Sequence, residues 1–209
     1  MKKFILIILL LIISNIYSQN DIKAEKILDK VSFNIDKANN FKIDFSYQID
    51  NNIDQKKNGN IIISNENYVL NFLGVKQICD SKFIYTIVSE NKEIVVSEIS
   101  KENQEIISPT NLLKFYREGY FIKIDKLKRE SNFNIQYIKL IPIESKSEIS
   151  HLFIGINNVT NNIFKVIQIG KNKSKTILKI DNISYDLKIK KDIFVFNKDD
   201  YKDYYIEKI

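Results

Sequence analysis

The chain has 209 residues, of which 44% are hydrophobic and 28% charged, a balance typical of a folded globular protein. Its 32 lysines and arginines exceed its 26 aspartates and glutamates and give a net charge of +6, but the basic residues are scattered and form no block. A scattered charge of this size is typical of a solvated surface, so we expect no nucleic-acid partner.

The N-terminus has the pattern of a cleavable signal peptide. A basic start, Lys2-Lys3, precedes the apolar run Phe4–Ile13 and a polar stretch that ends at Ser18. The apolar run is too short to span a bilayer core comfortably, and Ser18 offers a small residue for cleavage. We therefore expect residues 1–18 to be removed on export. No cysteine lies near the cleavage position for lipid attachment, so the expected product is soluble rather than tethered to a membrane.

Residues suited to catalysis or metal binding are too few and too isolated to predict an enzyme. Cys79 is the only cysteine and His151 the only histidine, which leaves no intramolecular disulfide and no zinc site of the ordinary type. No nucleophile elbow, P-loop or dinucleotide-binding motif occurs. We expect no catalytic residue, no metal and no cofactor. Cys79 is expected to be a small buried hydrophobe, and His151 a structural or surface residue.

Two segments predict helices. In residues 21–37, Asp21 is suited to cap an amphipathic helix. Its apolar residues recur at helical spacing and are Ala24, Ile27, Leu28, Val31 and Ile35. A second, shorter helix is predicted over residues 108–119, where Ser-Pro opens the segment and Gly closes it.

The rest of the chain predicts β-strands. The clearest strand alternates the apolar residues Phe41, Ile43, Phe45 and Tyr47 with polar ones, which gives it one apolar face. Shorter strand-like runs follow over 59–64, 68–72, 75–79, 82–88, 93–97, 120–126, 133–141, 150–156, 163–169, 176–186 and 193–196. About ten or eleven strands with two helices suit one large curved antiparallel sheet or barrel, in a single domain over residues 19–209.

Two helices are few to cover the apolar face of so many strands, so a ligand can occupy the remaining apolar interior. The candidate cavity-lining residues are Phe41, Ile43, Phe45, Tyr47, Tyr68, Leu70, Phe72, Phe83, Tyr85, Ile94 and Val96. The candidate lid residues are Ile27, Leu28 and Val31 on the first helix and Leu112, Leu113 and Tyr116 on the second. The same stripes are compatible with an ordinary packed core, and the sequence alone does not separate the two.

Several short motifs follow the first helix and the long strand in a characteristic order. They are Gly59-Asn60-Ile61-Ile62-Ile63, Asp80-Ser81-Lys82-Phe83-Ile84-Tyr85-Thr86, Glu93-Ile94-Val95-Val96-Ser97, Ser108-Pro109-Thr110-Asn111-Leu112-Leu113 with Tyr116 and Gly119-Tyr120, and Phe194-Val195-Phe196 with Tyr201. In this order and spacing the chain resembles the periplasmic outer-membrane lipoprotein carrier proteins (LolA), in the branch found in the Bacteroidetes. Tyr85 stands where these carriers usually have Trp, and Ser81 where they have Gly.

The resemblance implies an unclosed antiparallel β-barrel with a helical lid over its concave face, where the acyl chains of a lipoprotein are held. It also implies a soluble periplasmic monomer that catalyses no covalent chemistry, is loaded by an ATP-driven inner-membrane release complex and unloads to an outer-membrane acceptor. The Lys-Arg-Pro turn, whose arginine latches the lid in the proteobacterial carriers, is replaced here by Ser64-Asn65-Glu66-Asn67. The resemblance therefore implies no latch residue in this chain.

Two alternatives remain compatible with the sequence. A related soluble periplasmic protein that carries glycolipid or free fatty acyl cargo would show the same apolar stripes. An exported structural or adhesive β-protein would have a filled core and no bound lipid.

We predict that the exported protein begins near Gln19 and is recovered in the soluble periplasmic fraction, because its apolar run is short and no cysteine follows for lipid attachment. Intact-mass measurement of the protein from that fraction checks the prediction. A retained N-terminus or an added acyl mass would contradict it.

Overall fold

The computed structural model describes residues 21–49, 56–99 and 119–209. The predicted signal peptide and the second predicted helix, with Leu112, Leu113 and Tyr116, lie outside the described residues. Within these ranges, no helix has the length and apolar character needed to cross a membrane.

The described residues form one α-helix, two short 3-10 helices and twelve strands. The helix α1 spans Ile22–Lys37, and the 3-10 helices span Lys191–Phe194 and Lys198–Tyr201. The strands are β1 (Phe41–Ile49), β2 (Lys57–Ser64), β3 (Asn67–Phe72), β4 (Val75–Cys79), β5 (Phe83–Val88), β6 (Glu93–Glu98), β7 (Tyr120–Glu130), β8 (Phe133–Pro142), β9 (Ile149–Asn157), β10 (Ile163–Gly170), β11 (Lys175–Tyr185) and β12 (Tyr205–Lys208).

The strands form a single sheet in the order β12-β6-β5-β4-β3-β2-β1-β11-β10-β9-β8-β7. Neighbouring strands are antiparallel, except that β12 pairs in parallel with β6. In the described part of the chain, β12 and β7 form the two edges and do not pair with each other. The prediction of a mainly β fold built on an unclosed barrel is confirmed.

Helix α1 packs across one face of the sheet. Asp21 caps its start, because the carboxylate Oδ1 accepts hydrogen bonds from the backbone N–H groups of Lys23 (2.9 Å) and Ala24 (3.4 Å). The buried side of α1 carries Ala24, Leu28, Val31 and Ile35, as the spacing predicted. We call the sheet surface beneath it the helix face, whose buried residues are Phe41, Ile61, Ile63, Tyr68, Cys79, Ile122, Ile138, Leu140, Leu152, Ile154 and Ile156.

The opposite surface, the tail face, is partly covered by residues 186–209. The buried residues of this second core are Val69, Ile78, Ile87, Ile94, Val96 and Phe194. Phe196 stacks on Tyr85 with ring centroids 4.4 Å apart, and Tyr201 stacks on the same Phe196 at 5.4 Å. These stacked rings hold the C-terminal segment against the sheet before β12 adds its short edge strand.

The strand predicted over residues 193–196 is wrong, because the chain turns there through a 3-10 helix. Its alternating aromatics pack as side chains on the tail face, with Phe194 only 5% exposed, instead of pairing through the backbone. The free edge of β6 is taken by β12. That strand has four residues, two of them charged, which is too weak a pattern to predict from sequence.

Candidate functional site

The structure divides the eleven candidate cavity residues between the two faces of the sheet. Seven belong to the helix face by register or packing: Phe41, Ile43, Phe45, Tyr47, Tyr68, Leu70 and Phe72. Four lie on the tail face under the C-terminal segment: Phe83, Tyr85, Ile94 and Val96. The eleven therefore do not form one continuous wall, and contact of any of them with a ligand stays a prediction.

The apolar stripe of β1 passes from packed core to surface. Phe41 at its start is 4% exposed, and Ile49 at its end is 43% exposed. Ile43, Phe45 and Tyr47 between them are half-buried. Helix α1 packs against the first part of this stripe, so the apolar surface of the sheet continues past the helix.

An aromatic wall occupies the half-buried part of this stripe. It consists of Phe45, Tyr47 and Phe72, with the Phe72 ring centroid 5.4 Å from that of Phe45 and 5.6 Å from that of Tyr47. Gly59 lies opposite Phe45 on β2, and a Cβ at this position would come within 2.5 Å of the Phe45 ring. The missing side chain at Gly59 therefore lets the Phe45 ring lie directly over the β2 backbone.

Sequence analysis missed the side of the wall that β11 supplies. Leu178 is paired with Tyr47, and Ile180 with Phe45, so both half-buried side chains continue the wall across the neighbouring strand. Alternation in the 176–186 segment identified a strand but gave no information on its neighbour. That neighbour is β1, far away in the sequence.

Beneath α1 the packing is nearly complete. A cavity of about 30 Å³ remains between the helix and the sheet, a volume close to that of one water molecule. It is lined by Val31, Ile35, Ile43, Asn162, Ile163, Ile180, Ile183 and Tyr185. An acyl chain can enter this region only if α1 moves away from the sheet.

Polar contacts hold α1 at several points. The backbone N–H of Asp21 donates to the carbonyl of Ile122 on β7 at 2.9 Å. Asn34 Nδ2 donates to the carbonyl of Thr160 in the β9–β10 turn at 3.0 Å. After the helix, Asn40 exchanges hydrogen bonds with the backbone of Leu187, at 3.1 Å and 2.8 Å. These contacts join α1 to the sheet without an arginine.

An open recess of about 750 Å³ lies beside the β3–β4 turn and is bordered by residues of β1, β2, β3 and β4. Its apolar border includes Phe45, Phe72, Leu73 and Val75, and its polar border includes Asp44, Lys56, Asn58, Asn60, Asn71, Lys76, Ser89 and Asp181. Apolar and charged groups therefore meet at this end of the sheet.

Burial raises the pKa of three side chains of the helix face, those of two tyrosines and of Cys79. Burial raises the pKa of Tyr68 and that of Tyr185 to about 12, and the Tyr185 hydroxyl donates to Asn162 Oδ1 at 2.8 Å. Cys79 is buried, as predicted, and burial raises the pKa of its thiol. His151 packs edge-on against Phe153 at 4.9 Å. Within the described ranges, no three potential metal ligands come together.

No family model matches the chain, and no curated protein matches its sequence. An uncharacterized conserved protein from Thermus thermophilus superposes on 90% of this chain and 99% of its own, with a TM-score of 0.58 and 10% identity. LprF from Mycobacterium bovis covers 82% of this chain and 97% of its own at a TM-score of 0.49 and 11% identity. A putative outer membrane lipoprotein-sorting protein domain from Vibrio parahaemolyticus covers 86% and 99% at 0.46 and 12%.

The similarity to the Thermus protein concerns the fold, because 10% identity shows nothing about shared chemistry. The chain forms an open β-sheet that packs against a helix on one face. Proteins with this arrangement form the class of half-barrels. The unclosed sheet agrees with the fold that the motifs predicted. The assignment of the chain to the Bacteroidetes branch stays a prediction.

We predict that Phe45→Ala lowers the free energy of unfolding by less than the ~3 to 5 kcal/mol typical of phenylalanine truncation in a packed core. Phe45 is half-buried, so its removal costs fewer protein contacts. The same change should weaken binding of a fluorescent fatty acid. Phe45→Glu should weaken it further, because a carboxylate facing an acyl chain must be desolvated or protonated. Denaturant unfolding and fluorescence titration on the same variants provide the measurements.

Phe194→Ala is the matched control, because this phenylalanine is 5% exposed in the core of the tail face. It should show the full ~3 to 5 kcal/mol loss and leave lipid binding unchanged in the folded fraction. Equal destabilisation by the two alanine variants, with unchanged lipid binding by Phe45→Ala, would identify the wall as ordinary core.

We also predict that stability falls between pH 10 and 12. In the unfolded chain Tyr68 and Tyr185 lose their protons near pH 10, whereas in the folded protein they keep them to about pH 12. Between these values the unfolded state binds fewer protons, so rising pH favours unfolding. Denaturant titrations across this range check the slope. A Tyr68→Phe, Tyr185→Phe double variant with an undiminished slope would refute the assignment.

Proposed function

We propose that this protein is a soluble periplasmic carrier that binds the acyl chains of lipoproteins on its helix face and transfers them from the inner to the outer membrane. The observation that carries the proposal is the aromatic wall, half-buried apolar surface that continues beyond α1. A sheet built only for stability would have this surface packed against protein.

The physical requirement for such a carrier is large. Each methylene of an acyl chain costs about 0.8 kcal/mol to leave in water, so a whole chain does not cross an aqueous compartment unaided. An apolar wall at the side of a sheet removes much of that surface from water. The site must also release its cargo, and a wall that is open at one end allows a chain to slide out toward a second apolar phase.

The packing beneath α1 gives the helix the role of a lid in this proposal. Only about 30 Å³ is free there, so a bound acyl chain first contacts the wall and then displaces α1 to bury more of its length. Leu28 and Val31, which are buried, and Ile27, which is partly buried, would then exchange contacts with the sheet for contacts with lipid. The hydrogen bonds of Asp21 and Asn40 at the two ends would act as hinges.

The resemblance to the carriers supplies the proposed partners, namely an ATP-driven inner-membrane release complex that loads the protein and an outer-membrane acceptor that unloads it. Transfer between them is a partition of intact acyl chains. No bond is made or broken by the protein, so the proposed mechanism involves no catalytic residue, metal or cofactor.

The proposal is tested by mass spectrometry of the protein purified from the periplasm without detergent, intact and after lipid extraction. We expect complexes with acylated polypeptides, and a large loss of these complexes in the Phe45→Glu variant purified in parallel. Phe133→Glu, at an exposed position near the β7–β8 turn, is the matched control and should retain them. Glycolipid or free fatty acid in place of lipoprotein would refute the cargo assignment, and a ligand-free protein would refute the carrier function.

A further inference from the structure

A polar row crosses the helix face between apolar rows on strands β4 and β5. Leu70 on β3 pairs with Gln77 on β4, and Gln77 pairs with Thr86 on β5, so the three side chains lie side by side on one surface of the sheet. The rows on its two sides are apolar and contain Cys79 with Ile84, and Val75 with Val88. The sheet therefore places two polar side chains within an apolar surface.

Hydrogen bonds connect this row to a buried tyrosine. The Tyr68 hydroxyl donates to Gln77 Oε1 at 3.4 Å, and Gln77 Nε2 donates to Thr86 Oγ1 at 3.1 Å. Tyr68 is 6% exposed, and burial raises its pKa to about 12, so the hydroxyl keeps the proton that it donates. We call Tyr68, Gln77 and Thr86 the polar ladder. Its hydrogen bonds all point toward Thr86.

The polar ladder ends in donors that find no acceptor among the described residues. A glutamine amide has two N–H groups, and a threonine hydroxyl has one proton of its own. Gln77 uses one N–H on Thr86, which only accepts, so the second N–H and the Thr86 proton remain available. Both side chains are half-buried. A donor within an apolar surface costs free energy until it meets an acceptor, so a ligand that brings one is favoured.

The polar ladder lies beside the aromatic wall. Phe72 of the wall and Leu70 of the polar row are successive helix-face residues of β3, which places the two rows about 7 Å apart. An acyl chain bound along the wall ends in the carbonyl that joins it to the rest of its molecule. With this end turned toward β4 and β5, the carbonyl oxygen comes within reach of the free donors.

The charge near the polar ladder favours a neutral acceptor over an anionic one. Val95 on β6 pairs with Thr86, and the half-buried Glu93 is the next residue of β6 on the same face. The helix-face positions that the structure describes in β3 to β6 include no lysine or arginine. A free fatty acid would bring its carboxylate near that of Glu93 with no basic group between them. The carbonyl of an ester or amide carries no charge and accepts the same hydrogen bonds.

We propose that Gln77 and Thr86 bind the ester or amide carbonyl at the head of a bound acyl chain, while the aromatic wall contacts its hydrocarbon part. The proposal rests on the carrier function and adds to it a polar subsite that fixes the position of the chain along the wall. A hydrocarbon without a carbonyl gains nothing from these donors. The subsite therefore distinguishes acyl groups from alkyl groups of the same length.

The test compares two fluorescently labelled synthetic lipopeptides of equal chain length. One carries an ester-linked diacylglyceryl group on its cysteine, and the other carries the dialkyl ether analogue, which lacks the ester carbonyls. The parent protein should bind the ester about tenfold more tightly than the ether, the effect of one or two hydrogen bonds. Thr86→Val removes the hydroxyl at nearly constant shape and should reduce this ratio severalfold without weakening ether binding. Thr86→Ser keeps the hydroxyl and should retain the ratio.

Gln77→Leu should reduce the ratio by a similar factor, because it removes the second donor. Gln48→Leu is the matched control. Gln48 is a half-buried glutamine of β1 that alternates with Tyr47, so its side chain lies on the other surface of the sheet. This variant should leave the ratio unchanged. Denaturant unfolding of each variant gives the folded fraction to which the affinities refer.

Equal affinity of the parent protein for the two lipopeptides, or an unchanged ratio in both Thr86→Val and Gln77→Leu, would overturn the polar subsite and leave the carrier function standing. Failure of the parent protein to bind either lipopeptide would refute the carrier function and the subsite with it. A glycolipid with ester-linked chains of the same length separates the two sources of the carbonyl. If it binds more tightly than the lipopeptide and Thr86→Val weakens it equally, the subsite is supported and the lipoprotein cargo is refuted.

Discussion

The whole architecture depends on the antiparallel pairing of β1 with β11. It joins the strand series β2–β6 to the series β7–β10, so that one helix-covered face extends across both. The register contains one extra residue, Asp181, between the partners of Asp44 and Phe45. This bulge matters because a one-residue shift moves side chains to the other face of a strand. With it, Ile183 faces Ile43 and Ile180 faces Phe45, and both belong to the helix face.

A single helix packed on so wide a sheet creates two environments. Where α1 lies, side chains such as Leu28, Ile138 and Ile154 are almost fully buried, and the remaining space is close to one water molecule. Beyond it, the aromatic wall is only half-buried. The first environment stabilises the fold through close packing. The second is an apolar surface whose side chains make fewer contacts with the rest of the protein than core side chains do. In the proposed carrier, acyl-chain binding and sheet stability would therefore depend on different stretches of the same strands.

Local patterns in the sequence predicted the elements better than their arrangement. The spacing of Leu28 and Val31 and the alternation from Phe41 to Tyr47 describe the helix and β1 correctly, because each pattern follows from the side chains' own periodicity. The division of the candidate residues between two faces depends on register relative to β1, which local alternation does not contain. The C-terminal segment was misjudged for a related reason. Phe194 and Phe196 are removed from water by packing on the tail face. Alternating apolar residues occur both in strands and in irregular segments that pack on a sheet, so the alternation alone does not separate the two.

The motif Asp80-Ser81-Lys82-Phe83 has a structural explanation that the resemblance alone did not provide. Asp80 Oδ1 accepts hydrogen bonds from the backbone N–H groups of Lys82 (3.0 Å) and Phe83 (2.8 Å), which fixes the entry to β5. Ser81 between them has a φ of 70°, the conformation that explains a glycine at this position in the carriers. Tyr85, where they usually have tryptophan, stacks on Phe196 and so holds the tail segment. The large aromatic at this position therefore stabilises the covered tail face of the sheet, the face opposite the aromatic wall.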